Sequence, residues 1–240
     1  MPTLVRPVLL PDGSVPPEFY DTDYWERGAE SGKMSYNTNT HTLEMCKYWA
    51  EDTLKRWGPF DSYLELGCGK GWALWGLLHL EEEKVFRSKN GNRKKKVKRE
   101  FSQLVGVDFS RYAIDTAPEE VRSLIQCQSV TDLAFANDRM FDLIFSNDLL
   151  EHLTEIQAYG CLGECKRVAN RRIVHLISIG DNVDVSWGEI PSDGDQSHIN
   201  MKTIGWWAHR FMNVFNDANE WEVVMRRHGR TAEFDVKRLN

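Results

Sequence analysis

The stretch Tyr63-Leu-Glu-Leu-Gly67-Cys-Gly69-Lys-Gly71 carries a short apolar run into three glycines at alternate positions. The apolar run predicts a buried strand, and the glycines predict a turn that opens a helix. Glycine lets the backbone come close to a ligand, and the start of a helix offers free N–H groups and the positive end of its dipole. We therefore predict a binding site for a polar ligand at this turn.

Two common nucleotide-binding turns do not fit this spacing. The dinucleotide fingerprint G-x-G-x-x-G needs its third glycine where this chain has Trp72, whose indole would crowd the packing of helix on strand. A Walker A loop is excluded because Lys70 is followed by Gly71 and not by serine or threonine. The run from Glu65 to Gly71 instead resembles motif I of the class I, Rossmann-like S-adenosylmethionine (SAM) dependent methyltransferases.

This resemblance implies an α/β fold with a doubly wound, seven-stranded, mostly parallel sheet and a C-terminal antiparallel hairpin. It also implies SAM as the cofactor. In that family the glycine turn lies against the methionine part of SAM, and the acid at the end of the strand orients the loop and the ligand's amino group. Carried onto this chain, the roles fall on Glu65 and on the turn residues Gly67, Cys68, Gly69 and Gly71.

A second acid is expected at the ribose of the ligand. In nucleotide-binding α/β folds this acid ends the next strand, roughly 20 residues after the glycines. Asp108 follows Gly71 by 37 positions, but the 17 residues 84–100 read as an insertion, and without them the separation is 20. Asp108-Phe109 resembles the family's second motif, which implies that Asp108 accepts from both ribose hydroxyls and that Phe109 lies against the adenine.

The run Ile125–Leu133 predicts a third strand and a loop beside the adenine. By resemblance, backbone groups of Val130 and Thr131 close on the adenine edge. Many relatives have an acid where this chain has Ser129, so we place the acidic contact to the adenine amine at Asp132.

The run Phe141–Leu153 resembles motif IV and the helix that follows it, which implies that Ser146 and Asn147 lie at the cofactor. It lacks the Asn/Asp-Pro-Pro-aromatic sequence of amino-methylating DNA enzymes, and the chain has no Pro-Cys nucleophile for cytosine methylation. His152, after Glu151, can act as an acid or base near the methyl group. The alternative is that this Glu-His pair only packs and positions the chain.

A long loop over residues 180–200 follows the fifth predicted strand, at the ligand-binding edge of the sheet. Its Ser197-His198, ahead of Trp206-Trp207, resembles glycan-associated methyltransferases, where the histidine takes a proton from an acceptor hydroxyl. The alternative for His198 is a hydrogen bond that holds the loop. Acids of the loop, with His198, can also bind a divalent metal, but no ligand spacing is diagnostic, so we predict no metal. These acids are Asp181, Asp184, Asp193 and Asp195.

The N-terminal residues 1–41 predict an arm and a lid over a SAM-binding domain formed by residues 42–240. The string Tyr20-Asp-Thr-Asp-Tyr24-Trp25-Glu-Arg-Gly28, which the polar stretch Ser35–His41 follows, resembles a segment that covers the SAM pocket in small-molecule and sugar methyltransferases. Aromatic rings with polar ends suit a lid because they exclude water and still find hydrogen-bond partners, and Tyr24 is the candidate contact. The alternative is an aromatic cluster that only packs on the domain surface.

Residues 84–100 carry nine Lys or Arg and one acid, in a chain whose formal net charge is −6. This basic insertion can bind phosphates of a nucleic acid through Lys94, Lys95 and Lys96. It can equally be a solvated loop, since Phe86 is the only aromatic residue among the charges.

Composition favours one globular domain in the cytosol. The sequence has no apolar run long enough for a membrane span, no signal-peptide pattern and no C-x-x-C pair among its five cysteines. We expect methyl transfer to a small-molecule or sugar-like acceptor by in-line displacement. The alternatives are methylation of RNA or another phosphate-rich polymer, and SAM binding without catalysis. Oligomeric state is not predicted.

Overall fold

A computed structural model of the chain describes residues 4–34, 41–88, 91–180 and 194–239. Its strands are β1 (Ser62–Leu66), β2 (Glu81–Ser88), β3 (Gly91–Lys98), β4 (Gln103–Asp108), β5 (Ile125–Cys127), β6 (Phe141–Asn147), β7 (Ala169–Ser178), β8 (Trp221–His228) and β9 (Thr231–Arg238). Within the described ranges, seven strands form one sheet in the order β5-β4-β1-β6-β7-β9-β8. The first five of these are parallel, and β9 and β8 add an antiparallel hairpin at the edge. The predicted fold class is confirmed.

The helices are α1 (Leu43–Trp57), α2 (Trp72–Leu78), α3 (Arg111–Asp115), α4 (Glu119–Arg122), α5 (Glu155–Val168) and α6 (Ile204–Val214). The side chain of Thr42 caps α1, and Thr154 with Gln157 forms a capping box at the start of α5. The sequence pattern predicts helices over residues 42–57 and 155–168, and these local signals explain why both predictions agree with the structure to within one residue. In the described part of the chain, no helix is both long enough and apolar enough to cross a bilayer.

Strand β1 is buried along its whole length and separates two apolar cores. Leu64 and Leu66 face the core that α5 and α6 cover, whereas Tyr63 faces the core under α1 and α2. Alternate side chains of a strand point to opposite faces, so Glu65 falls on the Tyr63 side. This placement holds the start of the glycine turn between two packed layers.

The segment after α2 differs from its prediction. The sequence predicted a helix to Glu83 followed by an irregular insertion, but α2 ends at Leu78, and β2 and β3 form an antiparallel ribbon. Glu81 lies opposite Lys98 and Glu83 opposite Lys96, and Glu83 also pairs with Lys94. Lys89 and Asn90 lie outside the described residues.

The ribbon is attached at the amino-terminal edge of the main sheet. Its two ends meet where the backbone N–H of Arg99 donates to the carbonyl of Leu80, at 2.7 Å. The Arg99 guanidinium also donates to the carbonyl of Phe60, just before β1 begins. Because β1 and β4 are parallel, the carboxyl ends of the strands lie at the opposite edge, away from the ribbon.

Candidate functional site

A cavity of about 350 Å³ lies at the carboxyl ends of β1, β4 and β6. Its walls come from the glycine turn (Gly67), the residues at the end of β4 (Asp108 and Phe109), the loop after β5 (Gln128, Ser129 and Val130), the segment after β6 (Asp148, Leu149, His152 and Leu153), α5 (Gln157), and the N-terminal segment (Leu10, Asp12, Ser14, Val15, Pro17, Tyr20, Tyr24 and Trp25). This edge of a doubly wound sheet is where such folds bind ligands. Five residues predicted to bind the cofactor therefore line one cavity (Tyr24, Gly67, Asp108, Phe109 and Val130), together with His152, which was predicted to be catalytic.

The glycine turn needs glycine at its first two positions. Gly67 and Gly69 have φ angles of 65° and 53°, in the left-handed region. A Cβ on Gly67 would lie 2.9 Å from the Leu149 side chain, and one on Gly69 would lie 2.7 Å from the ring of Trp25. Cys68 packs inward against Gly106, and Gly71 precedes α2. Cys68, Gly69 and Gly71 thus shape the turn from outside the cavity wall.

Asp108 is buried, and each of its carboxylate oxygens accepts a backbone hydrogen bond. Gly69 N donates to Oδ2 and Ser110 N donates to Oδ1, both at 2.8 Å. Burial raises the pKa of Asp108 in spite of these two bonds. Each carboxylate oxygen has a further lone pair, so the side chain can still accept from two hydroxyls in the cavity. This geometry fits a ribose diol.

Glu65 lies beneath the turn and does not line the cavity. Burial, followed by repulsion from Asp108, raises the pKa of its carboxyl to about 8. Its Oε2 is buried and accepts no hydrogen bond from any residue that the structure describes. A buried acid without a donor beside a glycine turn matches the ammonium group of an amino-acid ligand, so the residues present fit the predicted cofactor.

In the loop after β5, the residues that line the cavity begin two positions before the first predicted contact, Val130. Gln128, Ser129 and Val130 line the cavity, whereas Thr131 bonds its hydroxyl to Ser129 at 2.8 Å. Asp132 is exposed, and its carboxylate accepts from the backbone of its own loop. Asp132 thus lies outside the cavity wall.

The end of β6 also turns differently from its prediction. Ser146 is buried in the sheet and hydrogen-bonds to His175 Nδ1 at 2.6 Å. Asn147 is exposed and donates to Asp148, and Asp148 lines the cavity with a φ of 50°. The sequence predicted Ser146 and Asn147 at the cofactor, the two residues before Asp148. Motif resemblance does not reveal the positive φ that places Asp148 at the cavity.

Of the two predicted catalytic histidines, His152 lines the cavity and His198 stands behind it. His152 follows β6 in the short turn Leu150–His152, and His198 belongs to the loop before α6. Their rings meet edge to face with centroids 4.4 Å apart, and His198 is 5% exposed. The structure therefore brings the pair together, with His152 nearer to any ligand.

Hydrogen bonds around His152 define its tautomer. Ser197 Oγ donates to Asp195 Oδ1 at 2.6 Å and lies 2.9 Å from His152 Nδ1. Because the Ser197 hydroxyl gives its one proton to Asp195, we assign a proton to His152 Nδ1, which faces Ser197 Oγ and, at 3.3 Å, the Tyr20 hydroxyl oxygen. The other ring nitrogen, Nε2, then carries a lone pair. In this tautomer, Nε2 is the ring nitrogen that can accept a proton or bind a cation.

Glu151 anchors the loop that carries His198. Its carboxylate accepts from Ser178 N at 2.7 Å, and its carbonyl accepts from Ile199 N and Asn200 N. Burial and the neighbouring Asp148 raise the pKa of Glu151 to about 8. These contacts fit the positioning role that the sequence had left open for the Glu-His pair.

The N-terminal segment covers the cavity through three aromatic side chains. Tyr24 donates its hydroxyl to Asp195 Oδ2 at 2.8 Å. The indole of Trp25 donates to Ser110 Oγ at 3.3 Å, and Ser110 in turn donates to the carbonyl of Tyr20. Tyr20 also packs against Phe109. Tyr20 and Trp25 were not among the predicted site residues, although they flank Tyr24 in the same aromatic string.

Part of the predicted site lies outside the described residues. This holds for Asp181, Asp184 and Asp193 of the acidic loop and for residues 35–40 of the lid segment. Trp207 is described, and it is buried in the core on α6 and does not line the cavity.

Comparison with known proteins supports the predicted class. Residues 89–172 match the methyltransferase domain family. The match begins after the glycine turn, so the evidence for a binding turn at Gly67–Gly71 is the geometry of the turn itself. No curated protein matches the sequence.

Solved structures share the fold at low identity. A protein from Pyrococcus horikoshii OT3 is 15% identical with a TM-score of 0.53, over 92% of this chain and 98% of that one. The 1,6-didemethyltoxoflavin-N1-methyltransferase of Burkholderia thailandensis, solved with 1,6-didemethyltoxoflavin and S-adenosylhomocysteine, is 13% identical with a TM-score of 0.53, over 85% and 80%. The protein bound to the Trm112 methyltransferase activator of Haloferax volcanii is also 13% identical with a TM-score of 0.53, over 81% and 90%. The chain spans 67% and 56% of the length of two further structures.

The described sheet has the order of the class I, Rossmann-like fold. Together with this fold and the cavity, the match of residues 89–172 to the methyltransferase domain supports a SAM-dependent methyltransferase with SAM as its cofactor.

Proposed function

We propose that the chain transfers the methyl group of SAM to a hydroxyl of a small-molecule or sugar-like acceptor, and that it does so in the cytosol. The observation that carries this proposal is the covered cavity of about 350 Å³ with His152 in its wall. A cavity of this size suits small ligands. The four buried cysteines and exposed Cys127 are all unpaired thiols, which fits a reducing compartment.

The chain's own residues supply a place for each part of the cofactor. Glu65 would pair with the ammonium group, and the backbone of the glycine turn would lie against the amino-acid tail. Asp108 would accept from the ribose hydroxyls, and Phe109 with Val130 would pack on the adenine. When bound, SAM supplies a methyl group on a positively charged sulfur that leaves readily. The protein therefore has to position the acceptor and exclude water.

His152 is the residue that we assign to the reacting end of the cavity. Its Nε2 lone pair can take the proton of an acceptor hydroxyl, or it can bind a cation that makes that hydroxyl more acidic. Ser197 and Asp195 fix the ring through Nδ1 in both cases. His198 supports the ring of His152 from behind and acts as a positioning residue.

The cover over the cavity favours a small acceptor over a polymer. The Trp25 indole donates to Ser110, and Ser110 donates to the backbone carbonyl of Tyr20. On the opposite side, the Tyr24 hydroxyl donates to Asp195. A polymer would need an open groove past these side chains. Aromatic rings held over the cavity by these hydrogen bonds would instead exclude water from a small ligand.

The experiment is a methyl-transfer assay with labelled SAM over a panel of small hydroxyl-bearing acceptors, together with calorimetry of S-adenosylhomocysteine. We expect His152→Ala to lower kcat at least tenfold while the affinity for S-adenosylhomocysteine stays within about twofold. His209→Ala, an exposed histidine on α6, is the matched control and should change neither. Cofactor binding without turnover on any acceptor would contradict the proposal and favour a non-catalytic SAM-binding protein.

A second candidate acceptor is a nucleic acid, which the exposed ribbon of β2 and β3 favours. Lys94, Lys95 and Lys96 are exposed on it, and Lys95 lies opposite Lys84. Against this, the ribbon joins the edge of the sheet opposite the cavity. Binding of RNA that weakens with salt and is lost when Lys94, Lys95 and Lys96 are changed to Gln would support this candidate. Equal binding by that variant and the wild type would remove it.

A further inference from the structure

His152, Asp195 and His198 bring three potential metal ligands together at the end of the cavity. One ligand atom from each residue lies within 4.8 Å of the others. The separation between His198 Nε2 and Asp195 Oδ2 is 3.9 Å. Bonds of about 2.0–2.2 Å to a shared ion would place such atoms roughly 3–3.5 Å apart. Small movements of the side chains toward one another would therefore let all three bind one ion.

The donor types select a class of ion. Two imidazoles and one carboxylate suit zinc and divalent manganese, iron or cobalt better than they suit magnesium or calcium. Asp195 and His198 are buried, whereas His152 reaches the cavity wall. An ion bound there would have protein on one side and an open coordination position on the side of the acceptor, as catalytic sites require.

Surrounding hydrogen bonds hold the ligands in place. Asp195 Oδ1 accepts from the backbone and hydroxyl of Ser197, and Oδ2 accepts from Tyr24. Ser197 also accepts the Nδ1 proton of His152 in the tautomer assigned above. Metal-binding histidines and carboxylates are commonly oriented by such outer contacts.

An independent observation at the same place is a buried carboxylate oxygen. Glu151 is fully buried next to His198, and its Oε2 accepts no hydrogen bond from the described residues. Asp148 lines the cavity nearby. The Asp148 carboxylate adds a negative potential on this side, and the buried Glu151 oxygen offers a lone pair to a cation.

We propose that His152, Asp195 and His198 bind one divalent transition-metal ion, which holds the acceptor hydroxyl and lowers its pKa. This inference deepens the proposed function and rests on it for the role of the ion, although the binding site itself does not. The sequence had favoured no metal because it considered only the loop before α6. The structure adds His152 from the turn after β6.

The test uses the full chain, stripped with a chelator and dialysed, and titrates it with Mn²⁺ by calorimetry and with Co²⁺ by visible absorption. We expect one ion per chain, and a loss of affinity of at least tenfold in His198→Gln and in Asp195→Asn. His209→Ala is the matched control and should bind as the wild type does. Thermal unfolding of each variant checks that it folds, and saturating Mn²⁺ should raise the wild-type Tm and leave that of His198→Gln unchanged.

Two outcomes would overturn the inference, and neither would be confused with failure of the proposed function. No binding of either ion to the stripped wild type contradicts the metal site even if methyl transfer continues. Equal binding by His198→Gln and the wild type places the ion elsewhere. Failure of the proposed function has a different signature, which is that ions bind with the expected variant pattern while no acceptor is methylated.

Discussion

At the residue scale, Asp108 connects the cavity to the glycine turn. Its oxygens accept from Gly69 N and Ser110 N and face the cavity with their remaining lone pairs. One carboxylate therefore both fixes the turn and offers two acceptors to a diol. The sequence located this residue only because the basic insertion could be subtracted from the spacing.

We predict that Asp108→Ala lowers the affinity for S-adenosylhomocysteine at least tenfold. Hydrogen bonds to charged groups contribute about 1.5–3 kcal/mol, and the turn loses an anchor as well. Calorimetry measures the change. Asp132→Ala is the matched control, since Asp132 is an exposed acid in the neighbouring loop, and it should bind normally. Unchanged affinity in Asp108→Ala would count against the ribose assignment.

Glu65 makes stability depend on pH. Between pH 4.5 and about 8, the unfolded chain has lost the Glu65 proton and the folded chain retains it. The folded state binds more protons in this range, so the free energy of unfolding falls as pH rises, by up to about 1.4 kcal/mol per pH unit.

We predict that Glu65→Gln removes this part of the pH dependence, because glutamine keeps the shape of the neutral acid. Urea unfolding at pH 5.5 and 7.5 measures it. Relative to the wild type, the variant should gain about 1–3 kcal/mol at the higher pH. The same substitution should weaken binding of S-adenosylhomocysteine. Parallel pH profiles for the two proteins would show that Glu65 is ionised in the fold.

At the element scale, local signals fix some boundaries and long-range contacts fix others. Thr42, Gly58-Pro59 and the box of Thr154 with Gln157 were readable, and α1 and α5 agree with their predicted bounds. The ribbon was not readable, because its strands are stabilised by charge pairs across strands and not by an apolar alternation. A run of lysines has no alternation of apolar and polar residues that would indicate a strand.

The ribbon of β2 and β3 should be separable from the rest of the fold. Arg99 N already bonds to Leu80 O, so a short Gly-Ser-Gly bridge can replace residues 82–97. We predict a Tm within about 3 °C of the wild type and unchanged affinity for S-adenosylhomocysteine. Thermal unfolding and calorimetry check this. Loss of cofactor binding would show that the ribbon contributes to the cavity.

Motif resemblance selected residues that line the cavity where backbone geometry decides their position, and it selected fewer of them where side-chain direction decides. Gly67, Asp108, Phe109 and Val130 line the cavity because strand ends converge at one edge. Ser146 turns to His175 instead, and Asp148 enters the cavity through a positive φ. The cover by Tyr20 and Trp25 depends on contacts to Ser110, about 90 residues further along the chain, and no local pattern carries that information.

At the scale of the whole molecule, opposite edges of the sheet have different characters. The carboxyl edge holds the cavity lined by Asp108, Asp148 and His152. The amino edge holds the basic ribbon and a second groove lined by Arg171, Arg172 and Lys237. Arg99 and Arg171 bond to the consecutive carbonyls of Phe60 and Pro59, so the two basic features are neighbours. The cavity at one edge and the basic features at the other are thus physically separate.

The most direct test of the central claim is a crystal structure of the chain with S-adenosylhomocysteine. The account predicts ribose hydroxyls within about 3 Å of the Asp108 carboxylate, the ammonium group at the glycine turn, and the sulfur facing His152. Ligand density outside this cavity, or ribose hydroxyls that do not contact Asp108, would contradict it.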